Sequence, residues 1–198
     1  MSGRRRVTRW AAVGSGLLAA AVATGAVVAA QFDDGSDLAT AIEEAPLTQV
    51  VDLPAADGAP ALGVYVQLTK TGHLCVWGAP SATSRQRGGG CNTIDDPLNG
   101  EAVSATLSYD GGPEASRVSS ATLFGLALAE VASVRILMTD GTERIVRLKQ
   151  ARIGSDDFKA FGYRVSKADL RKGIGPVSVV ALDASGAEIG RRATGFAG

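Results

Sequence analysis

The chain has one histidine and two cysteines, residue types that could support catalysis. His73 precedes Cys75 by two positions, and residues i and i+2 of a strand point to the same face. An imidazole beside a thiol is the arrangement that a cysteine nucleophile and its general base require. A catalytic thiolate must be free, however, and Cys91 is available to Cys75 as a disulfide partner. We therefore expect His73 to be a partly exposed strand residue and assign it no catalytic role.

Two pairs of adjacent carboxylates are the next candidates. Asp95-Asp96 precedes a proline, and Asp156-Asp157 follows a Gly-Ser pair, so both positions are typical of turns. General acid–base catalysis needs carboxylates that converge in space, which neither pair shows by its spacing. We expect both pairs to be solvated turns and assign them neither a catalytic nor a calcium-binding role.

A basic, glycine-rich segment and three serines complete the set. The segment Arg85–Gly90 lacks the Gly-Lys-Ser/Thr ending and the following helix that a phosphate-binding loop needs, so we predict an exposed loop. Its two arginines could still contact anionic lipid or wall polymer near a membrane.

Ser119, Ser120 and Ser155 lack the Gly-x-Ser-x-Gly pattern of a hydrolase nucleophile. The sequence therefore predicts no enzyme, no cofactor and no metal site.

The N-terminal 30 residues indicate where the remaining residues act. Arg4, Arg5, Arg6 and Arg9 precede a run without charged residues from Trp10 to Ala30. A cluster of basic residues holds its end of such a run in the cytoplasm, so we expect residues 31 onward to lie outside. The run is long enough to remain as a single transmembrane anchor in contact with lipid through residues 10–30. Its small-residue ending before Gln31 is equally suited to signal-peptide cleavage near Ala30, and both alternatives stay open.

An exterior location changes the interpretation of the two cysteines. Disulfides form and persist in oxidising compartments, where an even number of cysteines indicates a bridge. We predict a structural Cys75–Cys91 disulfide, which would stabilise the fold by about 3 kcal/mol. Two free buried thiols and a metal site are the alternatives, and the metal site would lack ligands because His73 is the only histidine.

The charge balance of the exterior residues excludes one class of partner. Residues 31–198 carry 16 Lys and Arg against 20 Asp and Glu. A mildly acidic domain has no electrostatic reason to bind nucleic acid. We predict no nucleic-acid partner; a protein partner is possible but not specified by the sequence.

Composition divides the exterior residues into a linker and two β-rich regions. Residues 31–46 form a polar juxtamembrane linker in which Leu38–Glu44 is compatible with a short helix that Pro46 ends. Residues 47–120 are predicted as a β-rich region with the one disulfide. Its predicted strands are Leu47–Leu53, Leu62–Thr69, His73–Trp77 and Glu101–Tyr109, and its predicted loop is Pro80–Asn92.

Residues 121–198 carry the clearest strand and turn signals. Two hairpins are predicted, the first around Asp140-Gly141 and the second around Ser185-Gly186. We place them at the two ends of one antiparallel sandwich, with Phe158, Phe161 and Tyr163 as core residues between them. The predicted strands are Val131–Met138, Glu143–Lys149, Val177–Leu182 and Ala187–Arg192; Ala168–Lys172 is predicted as a helical turn, and Leu123–Ala132 is helix-like by propensity but interrupted by Gly125.

Several segments of the chain resemble uncharacterised exported proteins of high-GC Gram-positive bacteria. The residues that carry the resemblance are Leu74-Cys75-Val76 and Cys91, Leu123–Leu126, Val131–Val134, Asp140-Gly141, Phe158 and Val179–Gly186. The resemblance covers roughly residues 62–192 and implies an N-terminal anchor or signal and a C-terminal immunoglobulin-like β-sandwich. It implies no activity, because its motifs are those of strands and turns.

Together these observations predict a mainly β protein: an N-terminal transmembrane or signal helix (1–30) followed by an antiparallel sandwich that is immunoglobulin-like over residues 121–198. We expect it at the cell membrane as a single-pass protein with its C-terminal part outside, or secreted after cleavage. The expected role is a non-enzymatic structural or interaction module of the cell envelope. A ligand-binding or sensory ectodomain, with its binding surface around residues 80–92, is the first alternative, and an exported enzyme is the second.

Overall fold

The computed structural model describes residues 46–110 and 118–196, which fold into three antiparallel sheets and one short helix. The predicted export segment and nearly all of the linker lie outside these ranges. Within them, no helix is long and apolar enough to cross a bilayer. The elements are β1 Thr48–Leu53, β2 Leu62–Leu68, β3 His73–Ala79, β4 Gly88–Thr93, β5 Thr106–Asp110, β6 Ser120–Leu128, β7 Ser133–Met138, β8 Glu143–Val146, β9 Lys149–Ile153, β10 Asp156–Arg164, α1 Lys167–Arg171, β11 Pro176–Leu182 and β12 Glu188–Ala193.

The predicted fold class, mainly β with antiparallel pairing, is confirmed. Strands β1–β4 pair in sequence order and form what we call the meander sheet. The middle sheet has the order β5-β6-β10-β9, and the C-terminal sheet has the order β12-β11-β7-β8. All pairs of neighbouring strands are antiparallel.

The central strands of the middle sheet, β6 and β10, contribute to a core on each face of the sheet, because successive residues of a strand point to opposite sides. On β6, Leu123 and Ala127 belong to the core shared with the C-terminal sheet, whereas Phe124 and Leu126 belong to the core shared with the meander sheet. On β10, Phe161 and Phe158 divide in the same way. The molecule is therefore three sheets enclosing two cores.

Because β6 is buried on both faces, its sequence lacks the usual pattern of a strand. Its seven residues from Ala121 to Ala127 are all buried, so the alternation of apolar and polar residues that marks a half-exposed strand is absent. The helix-like propensity of Leu123–Ala132 gives way to strand pairing with β5 and β10. Gly125 is required there, because a Cβ at this position would lie 2.0 Å from the carbonyl oxygen of Ser104.

Three predicted boundaries are wrong. The predicted loop Pro80–Asn92 contains β4, whose glycines have low strand propensity. One of them, Gly89, lies against the ring of Trp77, since a Cβ at Gly89 would lie 2.9 Å from that ring. The predicted strand Glu143–Lys149 is two strands, β8 and β9, in different sheets. Val146 and Leu148 continue the alternation of apolar residues across the bend between β8 and β9, so the sequence shows no break there. The strand predicted over Glu101–Tyr109 begins only at Thr106.

The placement of the two C-terminal hairpins is also corrected. They do not occupy opposite ends of a sandwich, because β7 of the first hairpin pairs directly with β11 of the second. The two hairpins lie side by side in the C-terminal sheet. Strand β10 lies between the two hairpins in sequence and pairs with β6 and β9 in the middle sheet. Its aromatic residues are its only signal in the sequence.

Candidate functional site

The two cysteines occupy directly opposite positions on β3 and β4. Cys75 and Cys91 are register partners and form a disulfide with a Cα–Cα distance of 3.9 Å. Cys75 is fully buried. The sulfur of Cys75 is thus committed to the bridge, and the thiolate that a His73–Cys75 catalytic pair would need is absent in this state.

His73 lies on the same face of β3 as Cys75. Its Nδ1 is 3.1 Å from Oγ1 of Thr71, and its backbone N–H donates to Oγ1 of Thr69 at 3.0 Å. These contacts fix the residue within the β2–β3 turn. The histidine therefore stands on the meander sheet, whereas Ser119 and Ser120 stand at the beginning of β6 in the middle sheet.

The carboxylate pairs occupy two separate turns. Asp95 and Asp96 belong to the turn that follows β4, where Oδ1 of Asp96 accepts a hydrogen bond from the N–H of Gly100. Asp156 and Asp157 begin β10 and are exposed. Over residues 46–110 and 118–196, no three His, Cys, Asp or Glu side chains come together in a way that could hold a metal ion.

The basic, glycine-rich segment does not form a phosphate-binding loop. Gly88, Gly89 and Gly90 are strand residues of β4, paired with β3. The guanidinium carbon of Arg87 lies 5.3 Å from the centroid of the Trp77 ring, within the range of a cation–π contact. One of the two arginines thus packs on the meander sheet.

A concave surface that the sequence did not indicate lies at the beginning of β6. Its volume is about 420 Å³, and it lies between the β1–β2 loop, the residues that lead into β6, and α1. Three segments distant in sequence meet there, and the sequence predicted a regular element in only one of them, the helical turn Ala168–Lys172. The lining residues are Asp57, Gly58, Ala59, Pro60, Val118, Ser119, Ser120, Lys167, Leu170 and Arg171. We call this the basic cleft, because two cations face a single carboxylate.

Side-chain hydrogen bonds hold the walls of the basic cleft. Arg164 at the end of β10 donates to the carbonyl oxygens of Ala59 and Pro60 at 3.0 and 2.7 Å. The carboxylate of Asp57 accepts from the backbone N–H of Lys167 at 3.4 Å. The position of the β1–β2 loop is therefore tied to the strand and helix that carry the cations.

The helix α1 is anchored at its start and on its side. The hydroxyl of Ser166 accepts from the N–H of Asp169 at 3.0 Å as an N-cap, and Asp169 pairs with Arg144 of β8 at 3.9 Å. Nearby, burial of the Tyr163 hydroxyl raises its pKa above the usual value of 10.0, because burial disfavours the phenolate. The phenol of Tyr163 is neutral in the physiological range and is not a general base.

A second cleft of about 400 Å³ has the opposite charge. It lies near the end of β6 and the turn that follows β4, and it includes Asp95, Asp96, Glu101 and Glu130. The basic cleft lies at the beginning of β6. A nine-residue strand spans about 30 Å, so the two clefts lie at opposite ends of the middle sheet.

Comparison with known proteins adds no assignment to these surfaces. No protein-family model, no curated protein and no solved structure matches the chain. The basic cleft presents hydroxyl, ammonium and guanidinium groups in a volume of small-molecule size, and His73 lies on a different sheet.

Proposed function

We propose that this protein is a non-enzymatic interaction module on the outside of the cell envelope, delivered there by residues 1–30. The Cys75–Cys91 disulfide is the observation that carries this proposal. Such bridges persist in oxidising exterior compartments and are rare in the cytosol. The arginine cluster before the uncharged run Trp10–Ala30 supports the same direction of export.

We further infer that the immunoglobulin-like sandwich, expected from the sequence over residues 121–198, comprises residues 106–110 and 118–193. With β5, β6, β7, β8, β9, β10, β11 and β12 labelled A, B, C, C′, D, E, F and G, the middle sheet has the order A-B-E-D and the C-terminal sheet G-F-C-C′. These are the two sheets of immunoglobulin domains. Cys75 and Cys91 lie in the added meander sheet, not on strands B and F. The meander sheet covers the outer face of the A-B-E-D sheet.

The positions of the candidate catalytic residues support a role without catalysis. The only histidine lies on the meander sheet, and the serines of the basic cleft lie on the middle sheet. A serine nucleophile needs a base within hydrogen-bond reach. A hydrolase that paired His73 with Ser119 or Ser120 would therefore need to bring residues of the meander sheet and of the β6 segment together.

A ligand-binding ectodomain is the second candidate, and the basic cleft favours it. Lys167 and Arg171 lie one helical turn apart on α1 and line a volume suited to a small molecule. An ammonium and a guanidinium group together recognise carboxylate or phosphate oxygens. This moves the expected ligand surface from residues 80–92 to the basic cleft at the beginning of β6.

The location is tested by the redox state of the cysteines and the N-terminal residue of the mature protein. Cells are treated with a thiol-alkylating reagent before lysis, and the protein is recovered from the membrane fraction and the medium. We expect Cys75 and Cys91 to be unmodified, with Gln31 as the first residue in the medium or an uncut chain in the membrane. Alkylated cysteines in a cytosolic protein would overturn the proposal.

The absence of activity is tested with the full chain on peptidoglycan and peptide substrates. We expect no turnover above background, and no difference between the wild type and His73→Ala. Hydrolysis that is lost in His73→Ala would show that the protein is an enzyme.

The ligand-binding alternative is tested by titration with inorganic phosphate and with citrate, monitored by NMR. Chemical-shift changes that disappear in Lys167→Gln/Arg171→Gln, but persist in Lys172→Gln, would support binding in the basic cleft. Lys172 is the matched control, because it follows α1 and does not line the cleft. Changes of equal size in all three proteins would reject the cleft as the binding site.

A further inference from the structure

The outer face of the meander sheet is buried, although this sheet is an outer layer of the molecule. Tyr65, Trp77, Gln67 and Cys75 lie on this face, and their exposed fractions are 5, 5, 2 and 0 %. The opposite face of the sheet packs on the middle sheet through Val64, Val66 and other residues of the shared core. Something must therefore cover the outer face.

The described residues supply little of that cover. The apolar cluster on this face consists of Tyr65, Cys75, Trp77 and Ala79, and within residues 46–110 and 118–196 only Leu47 and Cys91 are apolar residues packed against it. Cys91 belongs to the sheet itself. Arg87 contributes one cation–π contact to the ring of Trp77. Two large aromatic side chains with an exposed fraction near 5 % require a larger apolar cover.

Leu47 connects this face to a part of the chain that the structure does not describe. It is the second described residue, and the chain immediately before it is the segment 31–45. The other undescribed stretches are the export segment 1–30, which the linker separates from Leu47 and which is removed if the chain is cut near Ala30, residues 111–117, whose sequence Gly-Gly-Pro-Glu-Ala-Ser-Arg contains no large apolar side chain, and the last two residues, Ala-Gly. Chain continuity and composition therefore both favour the N-terminal linker.

The sequence of the linker provides an apolar stripe of suitable size. Leu38, Ala41, Ile42 and Ala45 are spaced i, i+3, i+4 and i+7, which places them on one face of a helix. Thr40 and Glu43 fall on the opposite face. Asp37 is a favourable N-cap residue. Amphipathic helices of this kind bind apolar surfaces through such anchors.

We propose that residues 38–45 dock on the outer face of the meander sheet and cover Trp77 and Tyr65. The linker is then part of the folded domain and not a free tether. Cleavage near Ala30 leaves residues 38–45 in the mature protein, so the docked segment is present whether the export segment is cut or retained. In the retained form, the docked segment fixes the meander sheet as the part of the domain nearest to the membrane.

The first test monitors the fluorescence of Trp77 in the full chain in detergent micelles. All proteins carry Trp10→Phe, so that Trp77 is the only tryptophan. We expect Leu38→Asp/Ile42→Asp to shift the emission to longer wavelength and to raise acrylamide quenching several-fold. Thr40→Asp is the matched control on the opposite face of the segment and should leave both unchanged. Identical quenching in all three proteins would overturn the proposal.

The second test identifies the occupant directly and does not depend on a destabilised variant. A photoreactive benzoylphenylalanine replaces Ile42, or Thr40 as the control, and cross-linked tryptic peptides are mapped. We expect Ile42 to cross-link within one chain to the peptide 71–85, which contains Trp77. Cross-links between two chains, or equal cross-linking from position 40, would show that another occupant covers the face.

Discussion

Trp77 and Gln67 form a buried polar contact on the outer face of the meander sheet. The indole Nε1 donates a hydrogen bond of 3.0 Å to Oε1 of Gln67, and the two residues are 5 and 2 % exposed. They lie on neighbouring strands, and Gln67 is paired in register with Cys75. This bond satisfies the single polar atom of a tryptophan ring that otherwise packs against apolar groups.

Replacement of Gln67 by leucine should destabilise the protein through this bond. Gln67→Leu leaves the indole N–H buried without this acceptor, which costs about 1–3 kcal/mol in the free energy of unfolding. Urea denaturation monitored by circular dichroism measures the difference. Gln49→Leu, at an exposed position of β1, serves as the control and should change the midpoint little. Equal midpoints for Gln67→Leu and the wild type would contradict the predicted contribution.

The disulfide contributes separately to the free energy of unfolding, and a reductant can be used to measure this contribution. Cys75→Ala/Cys91→Ala should lower the free energy of unfolding by about 3 kcal/mol, since the bridge closes a loop across a separation of 16 residues. The wild type in the presence of a reductant should unfold at the denaturant concentration of the double variant. A reductant effect that persists in the double variant would show that the loss has another cause.

A substitution at Gly125 tests the close approach of the Ser104 backbone to β6. A methyl group there would lie 2.0 Å from the carbonyl oxygen of Ser104 and 3.0 Å from the ring of Phe161. Gly125→Ala should therefore cost at least about 3 kcal/mol, the upper part of the range for overpacking. Gly90→Ala is the matched control, because a Cβ at Gly90 meets no atom within 4 Å. Thermal unfolding of both variants gives the comparison, and similar losses for both would refute the steric explanation.

Acid should weaken the turn of the second C-terminal hairpin in a predictable direction. Hydrogen bonds from the Ser185 hydroxyl and from the N–H of Ala187 hold the pKa of Asp183 below its usual value of 3.8. A lowered folded-state pKa stabilises the protein above 3.8, and this contribution is lost as the pH falls through the pKa of the folded state. Asp183→Asn, which cannot ionise, should lose less stability than the wild type over that acidic interval.

Stability measurements over the same acidic pH interval separate the effect of the Ser185 hydroxyl on the pKa of Asp183 from that of the backbone N–H donors. Ser185→Ala removes the largest of the interactions that lower the pKa of Asp183, so its stability should depend on acid less steeply than that of the wild type. Urea midpoints measured from neutral pH downward provide the test. Parallel curves for the wild type, Asp183→Asn and Ser185→Ala would mean that this carboxylate does not contribute.

The turn chemistry and the exposed strands could be predicted from the sequence because their signals are local. The Asp-Gly turn after β7 is a clear example: Oδ1 of Asp140 accepts from the N–H and hydroxyl of Thr142, and Gly141 has a φ of 78°. The strands next to such turns alternate on a surface that is buried on one side only. The disulfide could likewise be predicted, from the count of two cysteines and the expected exterior location.

The middle sheet and the basic cleft could not be predicted because their determinants are not local. The apolar run of β6 is the same in a strand buried on both faces and in a buried helix segment. Lys167 and Asp57 meet only after two sheets have packed. Gly88–Gly90 form a strand through pairing with β3, and the three glycines themselves carry no sequence signal of that partner.

The double burial of the middle sheet has a consequence for how the protein unfolds. Neither neighbouring layer can detach without exposing half of the side chains of β6 and β10 to water, so the loss of one core weakens the other. We expect a single cooperative transition and the slowest amide hydrogen exchange in these two strands. A protease that cuts near residue 120 should release no stable fragment from either side.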